Sequence, residues 1–182
     1  MKGTTVDIKK RMNWDTENGQ ILDENRRYVL LRADVLMGIF TGLDAQQKQA
    51  ALQAFTQSVY QNGNDSVQAY WREIQEDSQQ LLTSMMSISA QLGWGAWSIQ
   101  KQTPDQLIIR VENSPFAQAT RGQGAPMCYP IVGIIQAMGQ LIFNTDVLVV
   151  ENQCIAQHDS HPACTFTITP LLNANQQLSV HN

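Results

Sequence analysis

Several absences narrow the function of this chain before any motif is considered. No apolar run approaches the roughly 20 residues needed to cross a bilayer, and the opening Met1-Lys-Gly-Thr-Thr-Val-Asp-Ile-Lys-Lys10 has no secretory h-region. A cytoplasmic protein is expected, with peripheral membrane contact left open. Charge is scarce: 15% of residues are charged, and 12 Lys and Arg against 16 Asp and Glu give a net charge of −4. Phosphate backbones call for a clustered basic face, so nucleic acid is not an expected partner. No GxGxxG follows a strand, and Gly122-Gln-Gly124 is too short to cradle a nucleotide. The three histidines gather near the C-terminus with no evident serine or cysteine nucleophile paired to them, which leaves catalysis without a visible constellation. With 43% hydrophobic residues the chain is still expected to fold, and 182 residues suffice for one substantial core.

Cysteine is rare as well, and its placement is informative. Cys128, Cys154 and Cys164 are the only three, all in the last third of the chain. An odd number without a secretory signal argues against a disulfide framework and leaves metal binding, a reactive thiol or simple burial. No CxxC pair is present. Glu151 and Cys154 follow the strand-like run Val147-Leu-Val-Val150, and Cys164 opens a second run, Cys164-Thr-Phe-Thr-Ile168, so the two read as arms of a hairpin. Cys128 precedes Pro130 and the helical run Ile131–Met138, which places it at a helix N-terminus, where thiolate is favoured. Three sulfurs and one carboxylate suit tetrahedral zinc and would fill its shell, as in structural rather than catalytic sites. Buried cysteines acting as small hydrophobes are the alternative.

Along the rest of the chain, Asn18-Gly19 between short flanks predicts a hairpin over 13–24, with Trp14 and Ile21 as its apolar contacts. Tyr28, Leu31, Val35, Leu36 and Ile39 recur at helical spacing and predict a helix over 26–40, ending near Gly42. Asp44 is the expected cap of a second helix, carrying Leu52, Phe55 and Val59 and stopping before Asn62-Gly63. A third helix is expected from Asn64 or Asp65 to Gly93, with Val67, Trp71, Ile74, Leu81, Leu82, Met85, Ile88 and Leu92 as its buried stripe. Strands follow at 94–99 and 106–111, then a loop or short helix over 116–124, the Cys128 helix, and strands at 146–153 and 164–169. The expected class is α+β: a four-stranded antiparallel sheet with helices packed on one face, preceded by an N-terminal hairpin and helices. One domain over 1–172 and a polar tail over 173–182 are expected.

The stretch Gly124-Ala-Pro-Met-Cys128, Val150-Glu-Asn-Gln-Cys-Ile-Ala156 and Cys164-Thr-Phe resembles the C-terminal half of the 4-vinyl reductase domain, whose members include the sensory domains of aromatic-responsive transcriptional activators. Arg26-Arg-Tyr-Val-Leu-Leu-Arg-Ala-Asp-Val-Leu-Met37 resembles the family's opening. The resemblance implies a structural Zn2+ on Cys128, Glu151, Cys154 and Cys164. It also implies a cavity for a small hydrophobic molecule, with a homodimer formed through the N-terminal hairpin and first helices. The family's turn between its last two cysteines is usually shorter and carries glycine. Here Gln157-His-Asp-Ser-His-Pro162 takes its place, so His158 or His161 could replace Glu151 as fourth ligand, although both read by default as solvent-facing loop residues.

Trp71, Met85, Met86, Trp94, Trp97, Phe116, Tyr129, Ile134, Met138 and Phe143 gather where helices and sheet should meet. They are the expected lining of a ligand cavity, or else ordinary core. Stand-alone relatives imply an accessory role in chlorophyll or other tetrapyrrole metabolism or in photosystem assembly, without catalysis. The alternatives are a sensor acting on a separate regulatory partner and a subunit of a vinyl-reductase enzyme.

Overall fold

A computed structural model describes residues 7–158 and 160–171. The short helix α1 (Ile8–Arg11) leads into an antiparallel meander of β1 (Asn13–Asp15), β2 (Gln20–Asp23) and β3 (Arg26–Tyr28). Helices α2 (Ala33–Thr41), α3 (Ala45–Glu73) and α4 (Ser78–Gln91) follow, then β4 (Ala96–Thr103), β5 (Gln106–Glu112), the single turn α5 (Pro115–Gln118), α6 (Tyr129–Phe143), β6 (Val147–Gln153) and β7 (Cys164–Pro170). The last four strands form an antiparallel sheet in the order β4-β5-β7-β6. Helix α6 lies on β6 and β7, α4 meets β4, and α3 packs on α6. The expected α+β class and the four-stranded sheet are observed. The expected tail over 173–182 lies outside the described residues.

Two sequence expectations fail, each for a tertiary reason. Residues 26–28 are strand rather than helix, because Glu24 takes a positive φ of 56° and turns the chain so that Arg26 pairs with Asp23 and Tyr28 with Ile21. Asp23 is fully buried and holds this turn, accepting from Arg26 Nη2 at 2.9 Å and from Arg11 Nε at 3.1 Å. A buried carboxylate bonded by two guanidinium groups outweighs a helical spacing that buries little. Helix formation then waits until Ala33.

The second failure concerns Asn62-Gly63, which does not break the chain. Helix α3 runs through it for 29 residues and ends only at Ile74, after which Gln75 and Glu76 adopt positive φ and Asp77 caps α4 through the amides of Gln79 and Gln80. Glycine within a helix costs about 0.5–1 kcal/mol relative to alanine. Here it removes bulk from the face turned to α6, where a Cβ on Gly63 would sit 3.0 Å from Ile134 Cδ1. Gly133 makes the reciprocal approach, since a Cβ there would strike the Thr56 carbonyl oxygen of α3. Thr56 Oγ1 also donates to the Tyr129 carbonyl at 3.0 Å, pinning the first turn of α6 to α3. The expected cap at Asp44 is present, accepting from the Gln47 amide at 2.9 Å.

Candidate metal centre and cavity

The three cysteines and Glu151 come together. Cys128 is the N-cap of α6, with Pro130 in the following turn. Cys164 is the first residue of β7 and stands opposite Val111 of β5, facing the core. The spacing of three between Glu151 and Cys154 would put them on opposite faces of a regular strand. A bulge resolves this. Glu151 pairs with Phe166 and Gln153 with Thr165, so Asn152 is an extra residue that reverses the alternation and returns Cys154 to the inner face beside Cys164.

One ligand atom from each of Cys128, Glu151, Cys154 and Cys164 lies within 4.8 Å of all the others. The sulfur of Cys164 is 3.5 Å from that of Cys128 and 3.8 Å from that of Cys154. Tetrahedral zinc with bonds of about 2.3 Å sets its sulfurs roughly 3.8 Å apart, so the spacing is that of a coordination shell. Glu151 Oε2 accepts the Cys128 amide at 3.1 Å, whereas Oε1 is buried with no hydrogen-bond partner. An orphaned carboxylate oxygen beside three buried thiols is costly, and a cation would supply its partner. The donor set therefore fits zinc on chemistry and on distance.

Electrostatics within the cluster follow from crowding. Burial, then the neighbouring Cys154, raises the Glu151 carboxyl to about 9. Burial likewise pushes the Cys128 thiol up, reinforced by contact with Cys154 and Cys164. Hydrogen bonds from Cys128 and Cys154 hold Cys164 down at about 4. For Cys154 the bond to Cys128 pulls downward, but Cys164 and burial outweigh it and the thiol rises. Burial and crowding thus oppose charge on Glu151, Cys128 and Cys154, a cost that a cation among them would relieve.

Sequence reasoning missed the residues around this cluster. Ser114 is fully buried, with Oγ 3.1 Å from Cys128 Sγ. Since Oγ already accepts the Ala117 amide at 3.4 Å, its own proton is available to the sulfur. Ser114-Pro115 is a helix-start signature that could have drawn attention to it. His161 is not one of the four clustered groups. Its Nδ1 lies 3.0 Å from the Cys154 carbonyl, so it is half-buried and engaged rather than solvent-facing, while His158 is exposed.

The proposed lining residues divide. A cavity of about 490 Å³ between α3, α4, α6 and the meander is lined by Met85, Trp94 and Ile134, together with Val59, Val67 and Ile88. Trp97 and Phe116 stand behind Trp94: Trp97 Nε1 donates to the Trp94 carbonyl at 3.1 Å, and the Phe116 ring meets the Trp94 ring edge-on at 5.2 Å. Met138 is core, and Trp71 packs half-buried against the core outside the cavity. Tyr129 borders a separate hollow of about 350 Å³ that reaches Glu151, and Phe143 borders another beside Pro104. The polar part of the main lining, from Arg26, Arg27, Tyr28, Ser58, Asn62 and Ser66 to Tyr70 and Ser89, was not anticipated. Burial raises the Tyr70 phenol to about 12.

No family model and no curated protein matches the sequence. Among solved structures, the phenol-responsive sensory domain of the transcription activator PoxR overlays at TM-score 0.76 with 15% identity, covering 96% of this chain and 93% of that one. An H-NOX domain from Shewanella oneidensis follows at TM-score 0.52 with 16% identity, covering 82% and 83%. A vinyl-4-reductase family protein from Methanocaldococcus jannaschii overlays loosely, at TM-score 0.45 and 18% identity over 77% of this chain and 91% of that one. The chain has the fold of the PoxR sensory domain, in agreement with the resemblance in its sequence to aromatic-sensor domains.

Proposed function

We propose that this chain is a non-catalytic module that binds a small hydrophobic molecule and is held in shape by one structural zinc on Cys128, Glu151, Cys154 and Cys164. The observation that carries the metal is the unpartnered, buried Glu151 Oε1 set among three sulfurs at coordination spacing. Four protein ligands fill a tetrahedral shell, and the ion would tie the front of α6 to the β6–β7 ribbon. The cavity carries the ligand reading, because its volume lies within the range of about 300–1,000 Å³ typical of small-molecule sites. The PoxR domain, whose own ligand is phenol, shares the fold that encloses it.

Elemental analysis of purified protein tests the first half: one zinc per chain is expected, and none would remove the metal. Extraction of small molecules from protein purified from its native host tests the second. A visible absorption spectrum would support the tetrapyrrole and photosystem roles, which rest on the sequence resemblance. A colourless extract would favour a ligand of one or two rings, which the cavity volume suits better. The partner we propose is a second copy of the chain. Val29, Leu30 and Leu31 are 80%, 73% and 54% exposed, and Val35 and Ile39 continue the apolar surface along α2 at 53% and 60%. Apolar side chains gathered in this way mark an interaction site. Light scattering should give a dimer that Ile39→Glu dissociates, and a monomer in the unmodified protein would contradict it.

A further inference from the structure

The charged residues that line the 490 Å³ cavity are Arg26 and Arg27, and no carboxylate is among its described lining residues. Their situations differ. Arg26 is engaged by Asp23 and Glu24, at 2.9 Å and 3.2 Å from its Nη2, and so is largely neutralised. Arg27 is exposed at the rim, and its Nη2 reaches the Gly19 carbonyl at 3.5 Å, a partner without charge and at the limit of hydrogen-bond length. The opposite part of the cavity is apolar, from Met85, Ile88, Leu92, Trp94 and Ile134. A cavity with a greasy body and a cationic rim matches a ligand with the reverse polarity at one end.

We propose that the ligand is an organic anion, a carboxylate on an apolar body of one or two rings, with its charged end at Arg27 and its rings against Met85, Trp94 and Ile134. This rests on the reading of the cavity as a ligand site. Guanidinium and carboxylate form charge-assisted, often bidentate bonds. Exposure of Arg27 to solvent weakens the bond, so selectivity on the order of tenfold is expected rather than thousandfold. A primary amine, which would face the Arg27 guanidinium, should bind worst.

Calorimetric titration of the full chain with 2-naphthoate, 2-naphthalenemethanol and 2-naphthylmethylamine separates these effects, because the three differ only at the polar end. The expected order of affinity is acid, alcohol, amine, with the acid about tenfold ahead of the alcohol. Arg27→Gln should bring the acid down to the alcohol, with an unchanged Tm showing that the variant is folded. Arg27→Lys should keep most of the preference. An alcohol that binds as well as the acid would overturn the anion assignment and leave the cavity reading standing. Loss of binding by all three probes would overturn both. Retention of the acid preference in Arg27→Gln would overturn the role given to Arg27.

Discussion

Helix α6 has a different kind of site at each of two turns, and the contrast between them is instructive. At its N-cap, Cys128 joins three other groups whose ligand atoms lie within 4.8 Å, so any function there depends on very few atoms. Less than two turns later, Ile134 joins the wall of a cavity to which α3, α4, β3 and the segment before β4 also contribute. The first site is a point and the second is a surface. Replacing one atom should destroy the point, whereas the surface should yield only to changes of volume or charge.

Cys154→Ser should have the largest effect. It replaces one sulfur of the proposed shell, and a structural zinc contributes on the order of 10 kcal/mol to small metal-dependent folds, of which a lost ligand forfeits a substantial part. The variant should be isolated without stoichiometric zinc, and its Tm should fall by roughly 10 °C or more. If calorimetry gives the same Tm for variant and parent, the cluster is only a set of buried thiols and the contrast dissolves.

Gly133→Ala comes next because it strikes the helix contact that both sites share. The added Cβ meets the Thr56 carbonyl of α3, a backbone atom that cannot rotate away. Overpacking of this kind costs about 1–3 kcal/mol, to be read from the urea midpoint. Weakened ligand binding together with retained zinc would show that the cavity wall gives way before the metal corner. Unchanged stability would mean that α3 and α6 are less tightly fitted than the contact implies.

The same contrast accounts for how much was legible in the sequence. The clustering of Cys128, Glu151, Cys154 and Cys164 could be read because cysteine is rare here and Glu151 and Cys154 stand close together beside a strand-like run. What could not be read was the bulge at Asn152 that makes their odd spacing work, since bulges leave no mark in hydrophobic alternation. Ser114 was missed because a cap and a sulfur contact use the same hydroxyl. The sheet was legible strand by strand, as short alternating runs bounded by turn residues. The cavity was legible only at Met85, Trp94 and Ile134, because the rest of its wall depends on α3 passing through Asn62-Gly63. Only a continuous helix brings Ser58, Asn62 and Ser66 onto the cavity face, and the decisive contact with Ile134 comes from a residue some seventy positions away. Its cationic rim was hidden in the same way, since Arg26 and Arg27 read as helix until Asp23 is seen to be buried between two guanidinium groups.

Ser66→Phe sharpens the surface side of the comparison. Ser66 is half-buried and lines the cavity, so a phenyl ring can occupy ligand space without displacing core. Stability should change by no more than about 0.5 kcal/mol, while affinity for the naphthalene alcohol should drop by about tenfold or more, consistent with the apolar area the ring takes over. Zinc content should not change. Loss of zinc would show that the two sites are coupled through α6 more strongly than their separation suggests.

The smallest expected effect is at Tyr70, and it tests whether the polar end of the cavity is dry. Burial raises this phenol from its ordinary value near 10 to about 12, with Tyr28 and Asp23 adding to the shift. A raised folded pKa means that the folded state keeps a proton the unfolded chain would release. The associated stability is complete below pH 10 and lost as pH climbs through about 12. After a rapid jump to high pH, before unfolding, the phenolate absorbance should show a late-titrating component that Tyr70→Phe removes. If that component survives the substitution, another buried phenol, Tyr28 first, carries it; if the parent shows none, water already reaches Tyr70 and this end of the cavity is wet.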